Sequence, residues 1–112
     1  MQVILNLISN AKDAIEERRK KEKIEGIIEV SNEIKNKEII IKIKDNGGGI
    51  PNEVKDRIFE PYFTTKEEGK GTGMGLYMAK EIIERSNGEI TFEVNPPYTT
   101  FIIKLKEDNE SW

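Results

Sequence analysis

The sequence predicts an α+β fold, a two-layer sandwich in which the helices lie on one face of a mostly antiparallel sheet. Apolar residues recur every three or four positions in two long segments, and they alternate with polar residues in several shorter ones. Turn signals join the alternating segments in pairs, which is typical of hairpins. A chain of 112 residues has room for one domain and one core.

The first helix is predicted over residues 2–18, where Ile4, Ile8, Ala11 and Ile15 form a helical stripe. Because no capping residue precedes it, the helix resembles a segment cut from something longer. We therefore expect a single domain over residues 1–112 that is truncated at its N-terminus. The charged run RRKKEKIEG after the helix is interpreted as a solvated linker.

Two strands are predicted next, over about residues 26–34 and 38–44, with a turn at 35–37. In the second strand Ile39, Ile41 and Ile43 share one face, the pattern of a half-buried strand. Three consecutive glycines, 47–49, follow it. Since glycine weakens a strand interior, the backbone is predicted to turn there.

A short helix is predicted over residues 52–59, with Asn52 as its N-cap. The stretch of about residues 60–74 lacks apolar periodicity and is rich in Gly, Lys and Glu. This composition predicts a mobile loop that can act as a lid.

The last part of the chain is predicted to form one helix and a hairpin. The helix covers about residues 74–86 and ends at Asn87-Gly88, a left-handed cap. Its apolar face is predicted to contain Leu76, Ala79, Ile82 and Ile83. Strands at about 89–95 and 99–106 follow, with a turn at 95–98.

The composition excludes several classes of function. The 18 basic and 21 acidic residues give a net charge of −3, which disfavours a nucleic-acid binder. The absence of Cys and His excludes disulfides, thiolate zinc sites and imidazole acid–base chemistry. No apolar run reaches the roughly 18–20 residues of a membrane span, so we expect a soluble domain without membrane contact. We also expect it to be cytoplasmic, whether or not a parent protein is membrane-anchored.

Three clusters of residues could carry chemistry. On the first helix Asn6, Asn10 and Asp13 lie on one face. Asn is a poor helix former, so two of them one turn apart call for an explanation. Their oxygens could face a hard cation or a polar ligand, and the alternative is a solvent-facing stripe.

The second cluster is Asp45 with Gly47 and Gly49, directly after a predicted strand. Alternate glycines let a flat ligand approach the backbone, and a carboxylate at that point can accept a hydrogen bond from an exocyclic amine. The alternative is an ordinary glycine-rich turn.

The third cluster is GKGTGMGL, residues 69–76, which runs into the start of a helix. Uncovered amides at a helix N-terminus favour phosphate. The segment lacks the GK[ST] ending of a P-loop, and no strand feeds it as a dinucleotide fold requires. Lys66 and Lys70 precede the amides of Gly71, Gly73 and Gly75 and could reach phosphate oxygens, although exposed loop lysines are common.

The order of these motifs resembles the N, G1, F and G2 boxes of the catalytic, ATP-binding domain of sensor histidine kinases. The segments are NLISNA (6–11), DNGGGI (45–50), FEPYFTTK (59–66) and GTGMGL (71–76). The Thr-Thr-Lys form of the third segment is similar to the nitrogen-regulation and sporulation-kinase branch. The resemblance implies the Bergerat-type α/β sandwich, which gyrase B, MutL, chaperone ATPases and anti-sigma-factor serine kinases share.

The resemblance also implies roles for individual residues. Asn10 matches the Mg²⁺ ligand, Asn6 the polar position one turn earlier, and Asp45 the carboxylate that receives the adenine amino group. The matched nucleotide-binding positions are Asn10, Asp13, Asp45, Gly47, Gly49, Ile50, Phe59, Phe63, Thr65, Lys66, Lys70, Gly71, Thr72, Gly73, Met74, Gly75, Leu76 and Thr99, with Asn6, Asn10 and Lys66 as the catalytic set.

Two positions depart from the family pattern. Tyr98 stands where the family usually has Gly before the Thr that Thr99 matches. The family domain also normally has strand material ahead of the first helix, so we expect one sheet edge or helix flank to be uncovered.

The implied function is binding of Mg-ATP or ADP and transfer of the γ-phosphate to a histidine on a separate hairpin, with a response regulator downstream. The chain has no His, so it would carry the catalyst without its acceptor. A gyrase-type ATPase would need Glu at the position of Asn6, and an anti-sigma serine kinase would lack the 59–66 segment. A nucleotide-binding module without transfer remains the alternative.

Overall fold

The computed structural model describes residues 2–48, 50, 52–61 and 75–106. In chain order the elements are α1 (Gln2–Arg19), β1 (Ile28–Lys35), β2 (Glu38–Asp45), a 3₁₀ helix (Asn52–Arg57), α2 (Gly75–Arg85), β3 (Glu89–Asn95) and β4 (Tyr98–Lys106). Each predicted helix and strand is present, and the predicted α+β class is confirmed. The short helix over 52–57 is of the 3₁₀ type, the form that short helical connections commonly take.

The four strands form one antiparallel sheet in the order β1-β2-β4-β3. Opposed residues in an antiparallel pair point to the same face, so the register assigns every side chain to a layer. Ile43 pairs with Phe101, and Ile41 pairs with Ile103. These residues face the helices. The opposite face carries lysines and glutamates such as Lys42 and Glu93.

The core lies between the helices and the central strands. Its buried members include Leu7 of α1, Ala79 and Ile83 of α2, and Ile43 and Ile103 of the sheet. Burying each large aliphatic side chain contributes roughly 1.5–3 kcal/mol before entropic costs. The packing holds α1 against α2 and across β2, which determines where the polar face of α1 points.

Two details of the predicted apolar faces need correction. On α1 the deepest residues are Val3 and Leu7, whereas Ile4 and Ile8 are only half-buried. On α2 Ile82 is 37% exposed, so the buried stripe is narrower than predicted. Each helix packs against both the sheet and the other helix. The periodicity of apolar residues therefore predicts which side of the helix is buried only to within about one residue.

β1 differs from the other strands in being exposed along its whole length. Its helix-side residues Ile28, Val30 and Ile34 are only partly covered, and Ile34 is 65% exposed. Among the described residues, this edge of the sheet is therefore largely exposed. No helix among the described residues is long and apolar enough to cross a membrane.

Candidate functional site

One face of α1 carries Asn6, Asn10, Ala14 and Arg18 at intervals of four residues. Successive members are neighbours on the helix surface, so the four residues form a stripe that winds gradually around α1. We call these four residues the α1 stripe. Its length, from the first to the last, is about 18 Å at 1.5 Å per residue. The stripe contacts two other parts of the protein, one near each end.

The N-terminal end of the stripe meets the start of α2. Asn6 Nδ2 donates a hydrogen bond to the carbonyl oxygen of Gly75 at 3.5 Å. A Cβ on Gly75 would lie 3.8 Å from both Oδ1 and Nδ2 of Asn10. The structure therefore brings two of the predicted site residues to the first residue of α2, where backbone N–H groups have no intrahelical partner. A helix N-terminus beside two amide side chains suits a bound anion.

The C-terminal half of the stripe contacts the turn that follows β2. Ala14 lies so close to Gly47 that a Cβ on the glycine would come within 2.6 Å of the Ala14 Cβ and 2.8 Å of its carbonyl carbon. Glycine is therefore required at 47 by this close approach of helix and turn. Gly48 has φ +109°, which also favours glycine.

Asp45 is the last residue of β2, and only 4% of its surface is exposed. Its Oδ1 accepts a hydrogen bond from Gly47 N at 2.8 Å. Burial raises the pKa of Asp45 from its ordinary value, and the Gly47 hydrogen bond opposes that rise. A buried carboxyl with a raised pKa is a candidate for ligand recognition.

Thr99 pairs directly with Asp45 across β2 and β4, and it is equally buried. The two side chains therefore lie on the same face, beside the turn. The adjacency expected for these residues is confirmed. Tyr98, the departure from the family pattern, points to the opposite face, where Lys44 Nζ lies 4.4 Å from its ring centroid. The larger residue at 98 therefore leaves the Asp45 side of the sheet unobstructed.

Other predicted site residues belong partly to the core. Ile50, Phe59 and Leu76 are half-buried and pack against it. Phe59 joins Phe92 and Phe101 in an aromatic cluster with ring centroids 5.9–6.4 Å apart. Because Phe59 is held in this cluster, it ties the end of the 52–61 segment to the sheet.

Asp13 is half-buried on α1, one turn after Asn10. Nine predicted positions lie outside the described residues, as does most of the predicted lid over about 60–74. They are Gly49, Phe63, Thr65, Lys66, Lys70, Gly71, Thr72, Gly73 and Met74.

Three residues at the site were missed from the sequence. Ala14 and Arg18 continue the i+4 spacing of Asn6 and Asn10. Following that spacing along the helix would have identified both residues. Asn46 is buried, and its backbone N and O and its side-chain Oδ1 and Nδ2 are all hydrogen-bonded. It belongs to the DNGGGI segment (45–50), but no local signal assigns it a role of its own, because Asn is common in any turn.

Residues 1–109 match a family described as histidine kinase-, DNA gyrase B- and HSP90-like ATPases. Two similar proteins are the nitrogen regulation protein NtrY of Azorhizobium caulinodans and sporulation kinase D of Bacillus subtilis. NtrY is 39% identical over 85% of this chain and 12% of its own length. Sporulation kinase D is 40% identical over 82% of this chain and 16% of its own. The chain thus spans a small part of these relatives.

A similar solved structure is the nucleotide-free catalytic domain of the histidine kinase ThkA. It superposes with a TM-score of 0.77 at 33% identity, covering 95% of this chain and 64% of that one. The α+β architecture therefore matches that of a histidine-kinase catalytic domain.

Proposed function

The chain belongs to the family of histidine kinase-, DNA gyrase B- and HSP90-like ATPases, as the nucleotide-binding catalytic domain of a sensor histidine kinase, and we propose how its residues work. ATP lies along the α1 stripe, with its base at the Asp45 turn and its phosphates at the start of α2. The proposal rests on one observation. The α1 stripe contacts both the turn that follows the buried Asp45 and the N-terminus of α2.

Asp45 supplies the base recognition. One carboxylate oxygen is engaged by Gly47 N, and the other is an acceptor that a 6-amino purine can fill. Burial excludes competing water, which strengthens a hydrogen bond to the correct base. A 6-oxo purine would place its carbonyl oxygen against the carboxylate oxygen of Asp45. Two buried acceptors without a donor between them would disfavour its binding.

Asn6, Asn10 and the N-terminus of α2 face the phosphates. The side-chain oxygen of Asn10 is of the hard, neutral type that Mg²⁺ accepts alongside phosphate oxygens and water, so the residues present fit this ion. Mg²⁺, when bound, neutralises charge that develops on the phosphates. The Gly71, Gly73 and Gly75 amides and Lys66 are proposed to hold the phosphate oxygens.

The residue types favour transfer over hydrolysis. Asn6 lies beside Gly75, and an amide cannot accept a proton from water as a carboxylate base does. Water is therefore poorly activated at this position. An in-line nucleophile must be supplied by another group, and the chain contains no His. We propose that the acceptor is a histidine on a helical hairpin of the parent protein, and that a response regulator then receives the phosphate.

Titration of the chain with ATP and GTP by calorimetry, with and without Mg²⁺, tests the binding half of the proposal. We expect magnesium-dependent binding with preference for ATP. Equal affinity for the two nucleotides would contradict base recognition by Asp45. We also expect hydrogen exchange over about residues 60–74 to slow when ATP binds, as for a lid. Strong and equal protection in both states would contradict a lid there.

The transfer half is tested by incubating the chain with labelled ATP and a separately supplied acceptor hairpin from its parent protein. We expect acid-labile label on the hairpin and none on the chain itself. An ATP-bound chain that leaves a competent hairpin unlabelled would indicate a binding module only.

A further inference from the structure

Asn46 follows Asp45 and is 8% exposed, yet each of its polar atoms is paired. Its Nδ2 donates to Glu25 O at 2.8 Å, and its Oδ1 accepts from Ile27 N at 2.9 Å. Its backbone N donates to Ile27 O at 3.3 Å. A buried amide with this complete set of partners fixes its backbone, because releasing any one leaves an unsatisfied group. The connector before β1 is thereby joined to the turn after β2.

Arg18 engages the remaining polar atom. Its Nη1 donates to Asn46 O at 2.7 Å, while Nε donates to Glu22 at 2.9 Å. The Arg18 side chain is 20% exposed, so the guanidinium is largely shielded from water. Charge-assisted hydrogen bonds of this length are among the stronger ones in proteins. The end of α1 is thus joined to the same turn through one side chain.

We propose that Arg18 and Asn46 are positioning residues for base recognition, acting through Asp45. This inference rests on the proposed role of Asp45. The Asp45 carboxylate is oriented by Gly47 N, one residue beyond Asn46. Displacement of residue 46 therefore moves the amide that orients the acceptor. The effect falls on discrimination of the 6-position of the purine, because the phosphates bind at the other end of the α1 stripe.

The hydrogen bonds around the turn require an arginine at position 18 and an asparagine at position 46. The planar guanidinium offers donors in two directions, toward Glu22 and toward Asn46 O, whereas the single ammonium of lysine supplies a point charge. The Asn46 amide offers one acceptor and one donor, matching Ile27 N and Glu25 O. An aspartate there would place a buried negative charge against the Glu25 carbonyl.

The test compares the binding of ATP and inosine triphosphate, which differ at the 6-position, to Arg18→Met and Asn46→Ser variants by calorimetry. We expect each variant to bind ATP on the order of threefold to tenfold more weakly, with little change for inosine triphosphate. Arg85→Met is the matched control, because Arg85 also ends a helix and pairs with a glutamate four residues away, without touching the turn.

A double-mutant cycle with Asp45→Asn separates positioning from general stabilisation. If Arg18 acts through Asp45, Arg18→Met has little further effect on ATP affinity once Asp45 is changed. Equal losses for both nucleotides, or fully additive losses, would overturn the inference. Urea denaturation checks folding, and Arg18→Lys replaces Arg18→Met if the latter is unfolded. If Asp45→Asn itself leaves discrimination intact, the proposed role of Asp45 fails and this inference fails with it.

Discussion

The two ends of the α1 stripe are built differently. At the turn end, the hydrogen bonds that hold Asn46 and Asp45 are mostly 2.7–2.9 Å long, and Gly47 packs tightly on Ala14. At the other end, Asn6 meets Gly75 at 3.5 Å, the outer limit of a hydrogen bond. Discrimination of a base needs a fixed acceptor, whereas phosphates and a cation need room and adjustable polar groups. The short contacts at the turn support a base end that is already formed before a nucleotide binds.

The largest expected effect is on transfer. Asn10→Ala removes the proposed ligand of Mg²⁺, so we expect hairpin labelling to slow by about 100-fold, the scale seen when reacting groups are misplaced. The ratio of ATP to inosine triphosphate affinity should stay the same, because the base end is untouched. Single-turnover labelling at saturating ATP measures the rate. Ser9→Ala, an exposed neighbour on α1, is the control. Loss of base selectivity in Asn10→Ala would contradict the separation of the two ends.

Asp45→Asn tests the base end directly. The variant retains an oxygen for Gly47 N but presents an NH₂ group to the amino group of adenine. We expect ATP affinity to fall by roughly 1.5–3 kcal/mol, the range for a hydrogen bond to a charged group. Calorimetry measures this loss, and inosine triphosphate serves as the comparison. A variant that still prefers ATP as strongly as the wild type would exclude Asp45 as the discriminating group.

Replacing a glycine by alanine at each end of the α1 stripe tests how closely that end is packed. Gly47→Ala would place a Cβ against Ala14, including its backbone, so we expect a loss of about 1–3 kcal/mol in the free energy of unfolding. Gly75→Ala places a Cβ at ordinary contact distance from Asn10, and alanine favours a helix, so its stability should be equal or higher. Urea denaturation compares them. If both are destabilised alike, the ends do not differ in packing.

Thr99→Val is expected to have a smaller effect. The substitution keeps the shape of a buried side chain beside Asp45 but removes its hydroxyl. We expect ATP affinity to fall by about 1 kcal/mol, the usual net value of one hydrogen bond. Thr91→Val, on the exposed face of β3, is the control. A larger loss for Thr99→Val than for Asp45→Asn would reverse the proposed order of importance.

The most gradual effect is that of pH on the nucleotide-free protein. Because burial raises the pKa of Asp45, ionising it costs the folded state more than the unfolded state. This cost is absent below the ordinary pKa of 3.8. It grows as the pH rises from 3.8 to the raised pKa, and it is constant above the raised pKa. The Asp45→Asn variant lacks the cost, so its stability relative to the wild type should increase over that window. A relative stability that falls with pH would contradict the raised pKa.

Candidate ligand-binding residues were predicted from the sequence at both ends of the α1 stripe, but the residues that hold the turn in place were not. Asn6, Asn10 and Asp45 were found because unusual residue types stood in regular elements or directly after them, where local rules apply. Asp45 and Thr99 were predicted to be neighbours only through the family resemblance, and the register of β2 with β4 confirms the contact. Arg18 was missed, because a cation in the last turn of a helix is already favoured by the helix dipole.

The sequence by itself determined the elements and, to within about one residue, their buried faces, since the periods of 3.6 and 2 are properties of the local backbone. It also determined the chemical groups available, including the absence of an acceptor histidine. Only the tertiary structure decided that the α1 stripe meets both the Asp45 turn and the start of α2. Asn6 and Gly75 are 69 residues apart, and Arg18 and Asn46 are 28 apart. Such contacts depend on how the helices and the sheet pack together, which no local pattern specifies.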